Sequence, residues 1–190
     1  MYKQCRTEQS ANRQRQLEQG LLKAMLHTRY EDISVCDLCD ELGIPRKAFY
    51  RYFSGKDGAL FALIDHVLQD YDVHSTIDNG TDTWDPLAFL EQVFAYWIEH
   101  KPLLDALEKS GLSGLLIQRA LESTKSMDEL PNFMRIQDRQ LRSYANLFTV
   151  CGMMSIIVQW HQDCFSRSPE EMATLALQLF SNPLFSGISL

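Results

Sequence analysis

Arg46, Lys47, Arg51 and Lys56 place four cations within eleven residues, and Tyr50 stands among them with a phenolic hydroxyl. Cations at that density suit phosphate recognition, and arginine can also present paired N–H groups to a guanine edge. Lysine and tyrosine contacts to phosphate fix register without reading sequence. Arg46 and Lys47 are therefore candidates for base edges, and Tyr50 and Lys56 for phosphate. Ser34, Pro45 and Arg51 complete the candidate nucleic-acid contacts. Arg13 and Arg15 are placed to add a phosphate or minor-groove contact. All of these are sequence expectations.

Such side chains act only if short helices hold them outward. Ser34 is a capping residue with Asp37 three positions on, and Val35, Leu38, Cys39 and Leu42 follow at i, i+3, i+4 and i+7. Gly43 stands where the chain must leave the right-handed region, which glycine does without a Cβ penalty. Pro45 suits the first turn of the next helix, where its missing N–H costs no hydrogen bond. Phe49 and Phe53, four apart, face inward. Helix, glycine turn and basic second helix over about 34–53 is the unit that lays a recognition helix in the DNA major groove. A first helix is expected over about Arg13–His27, and Ser54 with Asp57 is expected to start a fourth.

Residues 43–60 also resemble the TetR (tetracycline-repressor-like) regulators. The matching residues are Gly43, Ile44, Phe49, Tyr50, Tyr52, Phe53, Lys56, Asp57 and Leu60, with Arg46 where lysine is common. Pro45 replaces the usual Ser/Thr, and Lys47 the usual glycine. The likeness extends over roughly residues 10–70. It implies an all-α chain: a three-helix DNA-binding head and a helical ligand-binding and dimerisation body. It further implies a repressor released by a small effector, and a ligand cavity in the body.

The charge pattern agrees. The net charge is −7, but residues 1–56 hold ten Lys/Arg against seven Asp/Glu, so the head is cationic and the rest acidic. We place the DNA-binding domain at 1–56 and the ligand-binding and dimerisation domain at 57–190. Five cysteines in a chain that starts without a secretion signal read as reduced thiols in a cytoplasmic protein. No run of eighteen uncharged apolar residues is present, so no membrane partner is expected.

The body reads as further helices. Segment 74–85 is loop-like, Asp85-Pro86 restarts a helix, Pro102 interrupts it, and another follows over about 112–124. A long helical stretch spans Asn132 to about Phe165, with Gly152 a candidate bend. Ser168-Pro169-Glu170-Glu171 is a strong start signal for the last helix. Apolar character nearly all round these two helices predicts a homodimer through about 132–165 and 169–181. Phe94, Trp97, His100, Met134, Tyr144 and Phe148 are the candidate lining for a hydrophobic or aromatic effector. Cys36 and Cys39 read as packing, and His66, Asp70 and His74 as polar surface, so no metal and no cofactor is expected.

No phosphate-cradling loop, nucleophile elbow or zinc-protease pattern appears, and the chain does not read as an enzyme. The expected function is a homodimeric transcriptional regulator, in the first instance a repressor, on a palindromic double-stranded operator. The alternatives are a ligand-insensitive DNA-binding accessory protein, or a protein-interaction module with a degenerate helix-turn-helix.

Overall fold

The computed structural model describes residues 1–71, 85–126 and 137–181. Among them the architecture is all-α, with one antiparallel bridge between Tyr2 and Phe53. The helices are α1 (Glu8–His27), α2 (Val35–Glu41), α3 (Arg46–Phe49), α4 (Lys56–Asp70), α5 (Pro86–Glu99), α6 (Lys101–Lys109), α7 (Ser113–Ser126), α8 (Arg139–Gln162) and α9 (Pro169–Ser181). A single 3₁₀ turn, Tyr30–Asp32, joins α1 to α2. His74 and Met134 lie outside the described residues, as does nearly all of the 74–85 segment.

Packing gathers the chain into two compact units. One comprises Met1–Asp70 with Pro102–Arg119, the other the described parts of Tyr71–Lys101 and Ala120–Leu190. The division expected after residue 56 is thus not where packing divides the chain. Helix α4 packs on α1 and buries Leu60, Leu63, Ile64 and Val67, so it stays with the head.

In the first unit, α1 starts five residues earlier than expected, because the Thr7 hydroxyl accepts from the Ser10 amide (3.3 Å) and caps it. Arg13 and Arg15 consequently lie within the helix. Leu17, Leu21 and Met25 form its buried stripe. At Gly20 an added Cβ would stand 2.6 Å from Leu42 Cδ1, so glycine lets the end of α2 approach α1 closely.

One ion pair and one histidine–carboxylate hydrogen bond cross this interior. Arg119 of α7 donates to both Asp65 oxygens (Nε–Oδ1 2.7 Å), and the Tyr2 hydroxyl donates to Oδ2 at 2.8 Å. Glu18, 1% exposed, meets His66 Nδ1 at 2.8 Å. Asp70 is held by Arg15 through two hydrogen bonds (2.6 and 2.8 Å). Asp70, expected as polar surface, is exposed and paired with α1 there, whereas His66, expected likewise, is drawn to the buried Glu18.

In the second unit the local start signals act as read. Asp85 Oδ1 accepts from the Leu87 and Ala88 amides (2.9 and 3.3 Å), with Pro86 in the first turn of α5. At α9, Ser168 and Glu171 exchange hydrogen bonds: Ser168 N–H to Glu171 Oε2 (2.8 Å) and Glu171 N–H to Ser168 Oγ (3.3 Å). Gly152, a candidate bend from sequence, sits within the continuous helix α8, where an added Cβ would only make ordinary contact with the Phe180 ring (3.5 Å).

Helix α8 is long and apolar enough to cross a membrane by length and composition, which the sequence count of uncharged runs did not register. Its Met153, Met154, Ile157 and Trp160 are buried against protein, but only 17% of its apolar stretch is.

The α8–α9 connection holds two non-glycine residues in left-handed backbone, Cys164 (φ 56°) and Phe165 (φ 51°). The left-handed region costs roughly 1–2 kcal/mol for a residue bearing a Cβ. Phe165 is retained there by its ring, edge-on to Trp160 at 4.6 Å between centroids, whereas Cys164 is exposed. Cys164→Gly should therefore raise unfolding free energy by about 0.5–1 kcal/mol after glycine's own entropy loss. Phe165→Gly, which also deletes the ring, should lower it; urea midpoints of the two variants check the contrast.

Candidate nucleic-acid interface

Ser34 caps α2 as expected: its hydroxyl accepts from the Asp37 amide (3.1 Å) and donates to the Asp37 carboxylate (2.6 Å). Helix α2 buries Leu38 and Cys39, and burial pushes the Cys39 thiol up from its ordinary range. Gly43 adopts φ 61°, the left-handed turn that its position called for. The Ile44 amide then reaches back to the Cys39 carbonyl at 2.9 Å. Pro45 stands one place ahead of its expected site, as the N-cap of α3.

Helix α3 is shorter than the 45–53 segment envisaged from sequence. After Phe49 the backbone continues in turns, with the Tyr50 amide on Arg46 O (3.0 Å) and the Phe53 amide on Phe49 O (3.2 Å). Phe49 and Phe53 are fully buried, ring centroids 5.1 Å apart. Ser34, Pro45, Arg46, Lys47 and Arg51 are exposed, and Tyr50 is 52% exposed. The Arg46 guanidinium rests on the Cys36 sulfur, whose thiol donates to Asp40 (3.7 Å). One face thus presents three cations and a phenol over an aromatic floor.

Lys56 behaves differently from its neighbours. Its ammonium donates to three carbonyls, those of Tyr30, Glu31 (3.3 Å) and Ile33 (2.6 Å), and lies 4.3 Å from the centre of the Tyr30 ring. The Tyr30 hydroxyl donates to the Asp57 carboxylate, and its amide donates to Ser110 Oγ at 3.0 Å. Burial, then the Asp57 hydrogen bond, hold the Tyr30 phenol well above the usual tyrosine range. Lys56 and Asp57 therefore clamp the 3₁₀ turn to the start of α4. The expected phosphate contact from Lys56 would require it to leave those carbonyls.

The expected Ser54–Asp57 cap is also replaced. Ser54 Oγ donates to the Met1 carbonyl (2.8 Å), which the Ser54 amide also contacts (3.1 Å), and the Lys3 amide donates to Tyr52 O (3.0 Å). An N-terminal arm, missed from sequence, so runs along Tyr52–Ser54. Its one sequence signal was Gly58, where an added Cβ would lie 2.5 Å from the Met1 carbonyl oxygen.

Among the described residues, the candidate effector residues fall into a buried group and an exposed pair. Phe94 and Trp97 are buried in the second unit, Phe94 edge-on to Trp160 at 5.3 Å, and His100 Nδ1–H donates to Tyr96 O at 2.9 Å. Tyr144 and Phe148 are 62% and 69% exposed on α8. Their spacing resembles an interior stripe, and sequence alone does not say which stripe of an apolar helix its own chain covers.

No protein-family model and no curated relative matches the chain. Solved structures do match. The fatty acid degradation regulator FadR from Bacillus halodurans aligns with TM-score 0.59 at 12% identity, over 95% of this chain and 98% of that one. The dihydroxyacetone kinase operon activator DhaS aligns with TM-score 0.52 at 15% identity, over 88% and 93%. A TetR-family transcriptional regulator from Bordetella parapertussis aligns with TM-score 0.49 at 15% identity, over 94% and 99%. At such identities the likeness is one of fold, and the all-α architecture is the one that the sequence led us to expect.

Lys56→Met keeps the stem and removes a shared set of charge-assisted hydrogen bonds, which together with the lost carbonyl partners are worth roughly 1.5–3 kcal/mol net. It should destabilise the protein by about 2–3 kcal/mol in denaturant unfolding. Unchanged stability would show that the carbonyl clamp carries no weight.

Proposed function

We propose that this chain is a DNA-binding transcriptional regulator acting as a homodimer on a palindromic operator. The observation that carries the reading is the exposed row Arg46, Lys47, Tyr50 and Arg51, set over buried Phe49 and Phe53 just beyond the Gly43 turn. Arg46 and Lys47 would reach base edges, and Tyr50 would contact phosphate. Ser34 and Pro45, exposed at the starts of α2 and α3, would flank the same strand. The fold shared with two transcription regulators supports this assignment.

Dimerisation is supported by an uncovered stripe. Leu141, Tyr144 and Phe148, at i, i+3 and i+7 on α8, are more than half exposed, and Leu179 on α9 is 44% exposed. Large apolar groups grouped in this way mark an association surface. Two copies joined there would form the four-helix arrangement expected for the 132–165 and 169–181 segments.

Regulation follows the TetR-like resemblance: repression, released by a small hydrophobic or aromatic effector taken among Phe94, Trp97 and Trp160, with His100 as a polar partner. Differential affinity of the effector for two forms of the dimer would couple the sites. DhaS is an operon activator, so the fold does not fix the sign of control. A cytoplasmic location and the absence of catalysis complete the proposal.

Selection from random duplexes at two salt concentrations tests it. A palindrome with half-sites about 34–36 Å apart or slightly more should be enriched. Arg46→Ala should relax preference at one position, at a cost of about 1–3 kcal/mol. No enriched duplex would refute the reading. Separately, Tyr144→Glu with Phe148→Glu should convert a sedimenting dimer to monomer; a persistent dimer would move the interface elsewhere.

A further inference from the structure

We infer that Arg13 and Arg51 form a second phosphate seat for duplex DNA, in a cleft between the start of α1 and the turn after α3. This rests on the DNA-binding reading above. The cleft is open and measures about 700 Å³, with Gln9, Asn12, Arg13, Gln16, Arg51 and Tyr52 among its walls. Arg51 directly follows Tyr50, so one wall continues the exposed cationic row.

Its chemistry favours a phosphodiester over a small organic ligand. Pockets for such ligands are enclosed and mostly apolar. Here the walls offer two guanidiniums, three carboxamides and the Ser10 hydroxyl, the groups that contact DNA phosphates. Glu8 is the one acid among the lining residues and leaves the cleft net cationic. Arg13 is steadied at the wall by a hydrogen bond from Nη1 to Gln16 Oε1 (3.0 Å), which uses one of its five N–H donors.

Arg15 supplies the internal contrast. Two positions along a helix it turns to another face, and both its terminal nitrogens bind Asp70 (2.6 and 2.8 Å). From sequence Arg13 and Arg15 were equivalent candidates. The structure separates a cation on an open cleft from one neutralised by its own fold.

The test uses the operator enriched by selection and measures affinity against salt for the full chain. Arg13→Gln and Arg51→Gln should each reduce the log–log salt slope by about 0.9, and the double variant by about 1.8, weakening all sequences alike. Arg13→Lys should restore the slope. Arg15→Gln should leave it unchanged, and thermal melts by circular dichroism confirm that each variant is folded. Unaltered slopes in folded Arg13→Gln and Arg51→Gln would overturn the inference, as would a changed base preference in either. If the unsubstituted chain bound no duplex, the DNA-binding reading itself would fall. Failure in the variants alone sinks only the second seat.

Discussion

A helical segment of four residues is too short to be stable alone, because the first turn fixes several residues for one hydrogen bond. The orientation of Arg46, Lys47 and Tyr50 therefore depends on what α3 buries. Phe49 and Phe53 supply that anchor, each worth roughly 1.5–3 kcal/mol when withdrawn from water. Their rings pack against each other beneath the turn, and Tyr52 beside them is nearly as buried. The left-handed Gly43 sets the angle at which the chain enters, and the Pro45 cap fixes the first backbone dihedral of the segment. Outward chemistry at this site is a product of inward packing.

Electrostatics divides the head in a way that residue counts do not reveal. Lys47 and Arg51 are exposed, as is Arg46, whose guanidinium also meets the Cys36 sulfur. Lys56 and Arg119 turn their charge inward, to backbone carbonyls and to Asp65, while Arg15 spends its charge on Asp70 at the surface. Buried pairs of this kind contribute little net stability over an apolar equivalent, but removing one partner is costly. The Asp65–Arg119 and Glu18–His66 pairs thus fix which surfaces of α1, α4 and α7 can meet. They discriminate among packings more than they strengthen one.

What could be read in the sequence was what is decided within a turn or two. Ser34 with Asp37, Gly43, Asp85-Pro86 and the Ser168–Glu171 exchange are local capping events, and each is seen where the residue types placed it. The misreadings involve partners distant in the chain. Ser54 looked like a cap because Asp57 follows it, but Met1 takes its hydroxyl and Tyr30 takes Asp57. Lys56 looked like a surface charge because nothing nearby in sequence reveals the carbonyls at 30–33. Tyr144 and Phe148 looked like lining because periodicity gives a stripe but not what covers it. At the candidate DNA face the exposed residues were legible, and the division of labour among its cations was not.

Three carbonyl oxygens converging on one positive centre is an arrangement that loops elsewhere obtain from a bound calcium ion. At the junction of the 3₁₀ turn and α4 a similar gathering of carbonyls is made by a tethered ammonium, with the lysine stem as its leash. A ligand attached to the chain cannot be diluted away, competed off or stripped by a chelator. This corner of the head is in effect a mineral site without the mineral, and its integrity follows the protein's own folding instead of the ion content of its surroundings.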